Sequence, residues 1–458
     1  MTSYSSHALT SQTLNVIHGS APYLTFDGGL TRVTSTKDLL GITFSNGDKF
    51  TPETNNSSLA SPIELPIAGE SFADIGMLVP IETNEIDLMQ LIGPPYNYWS
   101  DDDGDGQEPD GITVTGNLSL TIFDKNNQPV IRSEILDICN APYKITLMST
   151  NATLRTRYGI PNQSDFSASN VTYYVNPKAA PVICFAKPNL QFGSTRDGHD
   201  FRGPDIMWNE TKGFIPQSTN PSSYDLNFPT TGAHGLFFDL DIGGIGPLNW
   251  EPVSPNGDIK AIMTPNASGT SVRVVLQGPA ATEAQWRSLD PSSLGEIDRP
   301  TLPQTFELVG RDSHGNEVVK YGFVLKQWFV PIGTVYYDYV TTKSWCTNIK
   351  YHLPKLKDLT NASCQGVNRD KCAKYSAGLV GATPSSPNNF FQRVIGAGLF
   401  SEWGPLANYG IIKHNVSYAA ADRKGTRAYR YVSSSAGMIS ATFDLIKYSS
   451  APGACVYP

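Results

Sequence analysis

The stretch Ile112-Thr-Val-Thr-Gly-Asn-Leu-Ser-Leu-Thr-Ile122 has an apolar side chain at every second position, with Gly116 as its one interruption. Successive side chains of a β-strand point to opposite faces, so this period predicts strands with one buried and one exposed face. The run Val272, Val274, Leu276 repeats it. Helical periodicity is scarce, and we predict only two short helices, at Thr282 to Leu289 and from Leu353-Pro354 through Leu359.

Composition points to the same fold class. Only 17% of the residues are charged, and the chain holds 40 Gly and 33 Pro. Turn sequences recur between the apolar runs and are typical of hairpins; they are Asp27-Gly28-Gly29, Ser45-Asn46-Gly47-Asp48, Lys125-Asn126-Asn127, Pro255-Asn256-Gly257 and Ser313-His314-Gly315-Asn316. The sequence therefore predicts a mainly β protein built of tandem β-sandwich (Ig-like) domains.

A length of 458 residues is too great for one ordinary core and favours about three domains. We predict a lead segment at 1–19, a β-sandwich domain at 20–190, a second Ig-like domain at 191–330 and a recognition domain at 331–458. Residues 331–458 hold 14 Lys/Arg against 6 Asp/Glu, although the whole chain has a net charge of -8. This asymmetry indicates either an anionic partner for the basic part or a chance surplus of solvated lysines.

The six cysteines are Cys139, Cys184, Cys346, Cys364, Cys372 and Cys455. None forms a CxxC pair or lies beside suitably spaced histidines, which argues against zinc and for disulfides. Fifteen pairings are open. We favour 139–184, 364–372 and 346–455, because each pair then lies within one predicted domain. Disulfides imply an oxidising compartment, the alternative being a cytosolic protein with free thiols.

An acidic motif lies in the first predicted domain. Asp101, Asp103 and Asp105 with Gly106 match the first half of a calcium loop, and Gln107 and Asp110 follow. Alternate residues in a tight turn can point oxygens at a hard cation. Position twelve would be Ile112 rather than Glu, so we predict a structural Ca²⁺ loop between strands and not an EF-hand. The competing interpretation is a solvated acidic loop.

Templates for catalysis mostly fail. The sequence contains no G-x-S-x-G, H-E-x-x-H or P-loop. The N-terminus lacks the charged and apolar segments of a signal peptide, and no stretch approaches eighteen apolar residues, so we expect no membrane span. We predict that the protein is not an enzyme and has no catalytic residues.

Cations and aromatic rings alternate near the C-terminus, in Arg423-Lys424-Gly425-Thr426-Arg427 and Tyr429-Arg430-Tyr431. This mixture favours a glycan or a protein surface as partner, and no motif for nucleic acid is present. The competing interpretation is that most of these rings fill a small core. We predict receptor contacts at Trp403, Arg423, Arg427, Tyr429 and Arg430.

A family resemblance adds to these patterns. The order of five segments near the C-terminus resembles that of a small α+β C-type-lectin-like domain. They are Trp345-Cys346, Leu353-Pro354 opening a helix to Leu359, Ile395 to Gly404, Tyr429 to Ser434 and Ala454-Cys455-Val456. With the preceding β domains and their DGDG loop, nearly the whole chain is similar to the passenger regions of enterobacterial intimin- and invasin-type adhesins. In such a domain an early cysteine pairs with one at the C-terminus, which implies 346–455.

The resemblance implies a secreted or surface-exposed bacterial adhesin and virulence factor. Its partner would be a protein or glycan on a host or neighbouring cell, and a separate outer-membrane exporter is a further expected partner. The E-P-N, Q-P-D and W-N-D motifs of sugar-binding C-type lectins are absent between 346 and 455, so a protein partner is favoured. Two alternatives stay open: a polysaccharide-active enzyme with accessory β modules, and a phage-type receptor-binding protein.

Overall fold

The contacts of the chain separate it into two units, residues 1–180 and residues 181–458. The computed structural model describes residues 18–33, 35–104, 111–244, 247–288, 290–332, 337–372, 379–411, 416–422, 429–442 and 453–458. We call the two units the N-terminal and the C-terminal unit. The boundary lies ten residues before the one predicted at 190, and no division falls near residue 330.

The N-terminal unit is built from short strands. Its strands are β1 (Tyr23–Leu24), β2 (Ile42–Thr43), β3 (Lys49–Phe50), β4 (Ile63–Glu64), β5 (Glu85–Asp87), β6 (Trp99–Ser100), β7 (Ile112–Thr115), β8 (Asn117–Phe123), β9 (Tyr143–Ser149), β10 (Ala152–Thr156), β11 (Gln163–Phe166) and β12 (Ser169–Asn176). Its helices are α1 (Leu88–Ile92) and 3₁₀ turns at Thr36–Leu40, Phe72–Asp74 and Ile138–Asn140.

Two sheets enclose the core of this unit. One has the order β4-β12-β9-β8-β5 and the other β11-β10-β7, with every pair antiparallel except β4 and β12. Leu118 and Leu120 of the first sheet and Val114 and Leu154 of the second are buried in one cluster. Burial alternates along β8 as the sequence predicts. The sandwich therefore follows from the period-two pattern.

Gly116 is the point where the chain changes sheets between β7 and β8. Its φ is +103°, a backbone conformation that residues other than glycine rarely adopt. A Cβ there would lie 2.8 Å from the carbonyl oxygen of Asn151. The interruption in the alternating stretch is therefore a corner of the sandwich.

The C-terminal unit begins at residue 181. Its strands are β13 (Val182–Lys187), β14 (Thr195–Arg196), β15 (His199–Asp200), β16 (Trp208–Asn209), β17 (Gly213–Phe214), β18 (Thr231–Ala233), β19 (Phe237–Gly243), β20 (Asn249–Trp250), β21 (Lys260–Pro265), β22 (Ser271–Gln277), β23 (Gln304–Arg311), β24 (Glu317–Leu325), β25 (Gln327–Pro331), β26 (Ser417–Ala420), β27 (Tyr429–Ser433), β28 (Ile439–Thr442) and β29 (Ala454–Tyr457). Its helices are α2 (Glu283–Arg287), α3 (Tyr339–Asn348), α4 (Leu356–Leu359) and α5 (Leu399–Trp403), with 3₁₀ turns at Pro221–Leu226, Pro291–Ser293, Arg369–Lys371 and Leu406–Tyr409.

The first predicted helix forms as α2. The Thr282 hydroxyl accepts a hydrogen bond from the Gln285 N–H, and the Gln285 side-chain oxygen accepts one from the Thr282 N–H. The second predicted helix is shorter than expected, because α4 begins at Leu356 and Pro354 stays outside it. The helix α3, which carries Cys346, was not predicted.

A six-stranded sheet, β16-β17-β13-β19-β22-β21, and a three-stranded sheet, β20-β23-β24, form the sandwich-like part of this unit. A further sheet has the order β18-β25-β29. Here β25, at Gln327–Pro331, pairs antiparallel with β29 at the C-terminus. The predicted domain boundary at 330 therefore lies inside a paired strand. A boundary needs a segment that few contacts cross, and this ladder together with one core from Ala186 to Val456 joins the two predicted domains.

The mainly β fold class is confirmed. Of the helices in the described part of the chain, none is long and apolar enough to cross a membrane.

Candidate functional site

The predicted receptor contact Trp403 is a core residue. Its side chain is fully buried at the end of α5, and the indole Nε1 donates a hydrogen bond to the Thr231 carbonyl oxygen at 3.0 Å. Its ring lies 4.8 Å from that of Phe228. A receptor cannot reach this side chain, so the prediction for Trp403 is corrected: the aromatic signal marks packing.

Arg430 is also buried. It lies in β27, the central strand of the three-stranded sheet β26-β27-β28. Burial lowers the pKa of its guanidinium, and the nearby charge of Asp422 opposes that shift. The receptor contact predicted at Arg430 is corrected for the same reason. Tyr429 is half-buried, with its ring 4.9 Å from that of Tyr339. The predicted contacts Arg423 and Arg427 lie outside the described residues.

Only part of the predicted calcium loop is described. Asp101 is buried, and Asp103 accepts a hydrogen bond from the Ser20 backbone N–H at 2.8 Å. Asp105, Gln107 and Asp110 lie outside the described residues. Among the residues that are described, no three His, Cys, Asp or Glu side chains group as a metal site requires. The calcium ion therefore stays a prediction.

The disulfide predictions for the last part of the chain are confirmed. Cys346 in α3 is bonded to Cys455 in β29, with Cα atoms 5.2 Å apart, and Cys364 is bonded to Cys372, with Cα atoms 5.9 Å apart. Cys139 and Cys184 are disulfide-bonded as well. The Cys346–Cys455 bond links β29 to the helix α3, and the Cys364–Cys372 bond closes a short loop.

That short loop, residues 365–371, is exposed, and we call it the cystine loop. Its two cysteines are buried, whereas the Arg369 side chain is 68% exposed and the Asp370 side chain 95% exposed. Lys371 is exposed as well, and Val367 presents an apolar side chain that is 45% exposed. The loop thus displays two cations, one anion and one apolar group within five residues.

Two asparagines, the fully buried Asn389 and the partly exposed Asn388, fix the backbone of the cystine loop. The Asn388 side-chain oxygen accepts from the Val367 N–H at 2.9 Å, and the Asn389 N–H donates to the Val367 carbonyl at 3.0 Å. The fully buried Asn389 also donates from Nδ2 to the Asn368 carbonyl at 3.0 Å, and its Oδ1 accepts from Ile439 in β28. A loop held this way loses little conformational entropy when a partner binds it.

A second contact, between Asn368 and His199, supports the cystine loop. Asn368 has a left-handed backbone, with φ +63°, and its side-chain amide lies 3.2 Å from the His199 Nε2. The His199 ring is stacked on Phe390, with centroids 5.2 Å apart. The sequence signal for this site was the Cys364–Cys372 spacing; the supporting asparagines and histidine had none, because they come from distant parts of the chain.

The core of the same unit contains a buried arginine whose guanidinium donates to several backbone carbonyls. The buried Arg393 guanidinium donates from Nη1 to the Glu402 carbonyl oxygen at 2.9 Å and from Nη2 to the Gln191 carbonyl at 2.8 Å. Burial lowers the pKa of Arg393 to about 10.

Comparison with known proteins gave matches among solved structures alone. No protein-family model matches the sequence, and no curated protein matches it either. The structure is similar to that of invasin, titled a bacterial integrin-binding protein, at 13% identity over 76% of this chain and 51% of that one, with a TM-score of 0.34. The chain thus spans about half the length of that invasin structure.

Two intimin structures also match. A C-terminal 282-residue fragment of intimin, in complex with the intimin-binding domain of the translocated intimin receptor, is 13% identical over 76% of this chain and 98% of that one, with a TM-score of 0.31. An intimin mutant from EHEC O157:H7 is 12% identical over 55% of this chain and 94% of that one, with a TM-score of 0.26. Invasin and intimin are thus among the solved structures that match.

Proposed function

We propose that the protein is a bacterial adhesin, secreted or held at the cell surface, that binds a protein on a host or neighbouring cell through its cystine loop. The observation that carries the proposal is the loop itself. It is exposed, closed by the Cys364–Cys372 bond and fixed by Asn389, and it carries charges of both signs.

The mixture of groups favours a protein as the partner. Arg369 and Lys371 flank Asp370, so the loop offers donors and an acceptor side by side, and Val367 adds an apolar contact. Protein interfaces combine such groups, with arginine among the residues that contribute most to binding. A single anionic or neutral ligand would leave part of this set unused.

Preorganisation supports the same function. An interface gains affinity when the side that binds is already ordered, because less entropy is lost on association. The cystine loop has its backbone held at Val367 and Asn368 and its ends held by a disulfide. Such stapled loops suit extracellular proteins, where disulfides persist.

The buried carboxylate of Glu402 does not favour the enzyme alternative. Glu402 is fully buried and its two oxygens accept hydrogen bonds from Thr230, Thr231 and Gly396. Hydrolysis of a polysaccharide needs two carboxylates facing a cleft that the sugar can enter. The absence of catalysis, the exporter and the surface location belong to this proposal together with the receptor.

The test uses the full chain in a quantitative cell-binding assay. A triple variant, Arg369→Ala/Asp370→Ala/Lys371→Ala, is compared with a matched control at the exposed ion pair of α2, Glu283→Ala/Arg287→Ala. All five side chains are exposed, so both variants should keep their stability within roughly 0.5 kcal/mol. The triple variant should bind cells at least about tenfold more weakly, and the control should bind as the parent does.

A second comparison separates loop chemistry from loop order. Cys364→Ala/Cys372→Ala keeps every exposed side chain and removes the closure, so binding should weaken by less than in the triple variant. Protease treatment of the cells should abolish binding, and glycosidase treatment should not. Unchanged binding by the triple variant would show that the receptor contact lies elsewhere.

A further inference from the structure

Arg155 and Arg157 line one depression on the surface of the N-terminal unit. The depression has a volume of about 510 Å³ and its other lining residues are Gly111, Thr113 and Thr156. Arg155 lies in β10 directly opposite Thr113 of β7, and the Arg157 backbone N–H donates to the Gly111 carbonyl at 2.7 Å. The ladder between β7 and β10 thus places both arginines at one open site.

Neither guanidinium has a partner of opposite charge among the residues that the structure describes. The ion pairs of the described chain involve other cations, and neither arginine side chain donates a hydrogen bond to a described residue. Each guanidinium offers five N–H donors in a fork that matches a planar or tetrahedral oxyanion. Thr113 is exposed and adds a hydroxyl.

A described carboxylate close to this site, that of Asp165, has neutral partners. Asp165 of β11 lies opposite Thr153, and Gln163 lies opposite Arg155. The Asp165 carboxylate accepts from Thr153 Oγ1 at 2.7 Å and from Gln163 Nε2 at 2.9 and 2.8 Å, and these bonds lower its pKa. Asp165 is therefore satisfied without either arginine. Glu108 and Asp110, which precede Gly111 in the sequence, lie outside the described residues.

The lining identifies the kind of ligand. Among the described residues it consists of arginine, threonine and glycine, and none of these forms an apolar pocket of the kind that anchors a peptide side chain. The exposed Tyr158 adds an aromatic ring 5.3 Å from the Arg157 guanidinium. Cations, hydroxyls and an aromatic ring on an open surface suit a sugar that carries a negative group.

From these contacts we infer that the N-terminal unit has a binding site for an acidic saccharide, with Arg155 and Arg157 holding its sulfate or carboxylate group and Thr113 bonding a sugar hydroxyl. This site is independent of the cystine loop. It would give the N-terminal unit its own contact with an acidic polysaccharide coat.

Calorimetry on the full-length protein tests the site with four defined probes. They are a sulfated heparin hexasaccharide, a hyaluronan hexasaccharide with carboxylates only, neutral chitohexaose and hexaglutamate peptide. We expect binding of one or both acidic sugars, weakening as salt rises, and none of chitohexaose. The two acidic sugars show whether sulfate or carboxylate is the group recognised. Equal binding of hexaglutamate would overturn the assignment to a saccharide.

Variants locate the binding. Arg155→Ala and Arg157→Ala should each weaken binding of the acidic sugar about tenfold, and Arg155→Lys should weaken it too because the fork is lost. Asp165→Asn removes a nearby negative charge and should strengthen binding. Lys49→Ala, an exposed cation of the same unit, is the control and should change nothing. If the arginine variants keep their folded circular dichroism and bind as the parent does, or if no acidic sugar binds, the inference is wrong.

Discussion

The Glu402 carboxylate of α5 accepts two hydrogen bonds from Thr231 of β18, from the backbone N–H at 2.9 Å and from the hydroxyl at 2.6 Å. The same carboxylate accepts from Thr230 and from the Gly396 N–H. One buried side chain thus joins the helix that precedes Gly404 to the strand beside β25. The two segments are 171 residues apart in the sequence.

Replacing Glu402 should remove these hydrogen bonds and destabilise the C-terminal unit. Glu402→Ala leaves five donors buried without their acceptor, and we expect it to lower the free energy of unfolding by roughly 3–5 kcal/mol. Glu402→Gln keeps one acceptor oxygen and should cost less. Chemical denaturation measures both, and equal stability of Glu402→Ala and the parent would contradict the role of this carboxylate.

Glu402 also gives a pH dependence with a defined sign. Burial raises the pKa of Glu402 above its ordinary value of 4.5. A group with a raised pKa holds its proton more tightly in the folded state, so its contribution to the free energy of unfolding falls as the pH rises from about 4.5 through the folded pKa. The difference between the parent and Glu402→Gln should change over that range and be constant below it. A denaturation series at several pH values checks this.

The Cys346–Cys455 bond closes a segment of 109 residues. Because the bond restricts the unfolded chain, Cys346→Ala/Cys455→Ala should lower the free energy of unfolding by roughly 2–5 kcal/mol. The short Cys364–Cys372 bond spans eight residues and restricts the unfolded chain less, so its removal should cost less. Thermal unfolding of the two double variants tests this order, and the reverse order would contradict it.

Gly116→Ala should destabilise the sandwich corner. The substitution puts a Cβ 2.8 Å from the Asn151 carbonyl oxygen. It also requires alanine to adopt a positive φ. Gly47→Ala is the matched control, since its φ is +91° and a Cβ there meets nothing within 4 Å. We expect a loss of roughly 1 kcal/mol for the control and clearly more for Gly116→Ala. Equal losses would show that the close approach does not matter.

The calcium prediction has its own test. Calcium titrated into the chelator-treated protein should release or absorb heat and raise the melting temperature, because a ligand that binds the folded state stabilises it. Asp101→Asn/Asp103→Asn should lose both effects, and Asp48→Asn, at an exposed turn of the same unit, should keep them. No heat and an unchanged melting temperature would remove the ion.

Local patterns in the sequence determined several parts of this protein. The alternating stretch from Ile112 to Ile122 gave β7 and β8, the helical period that begins at Thr282 gave α2, and the cysteine positions gave two disulfides. Side-chain period and cysteine spacing act over a few residues or follow from simple counting, so they can be interpreted without coordinates.

Tertiary structure alone decided what is buried and what is presented. Trp403 and Arg430 have the residue types of a contact surface, yet strands and helices from distant parts of the chain cover them. The boundary at 330 disappeared because β25 pairs with a strand more than a hundred residues later. The exposed cystine loop depends on Asn389 and His199, which only folding brings to it. Burial and long-range pairing depend on which segments meet, and no local pattern encodes that.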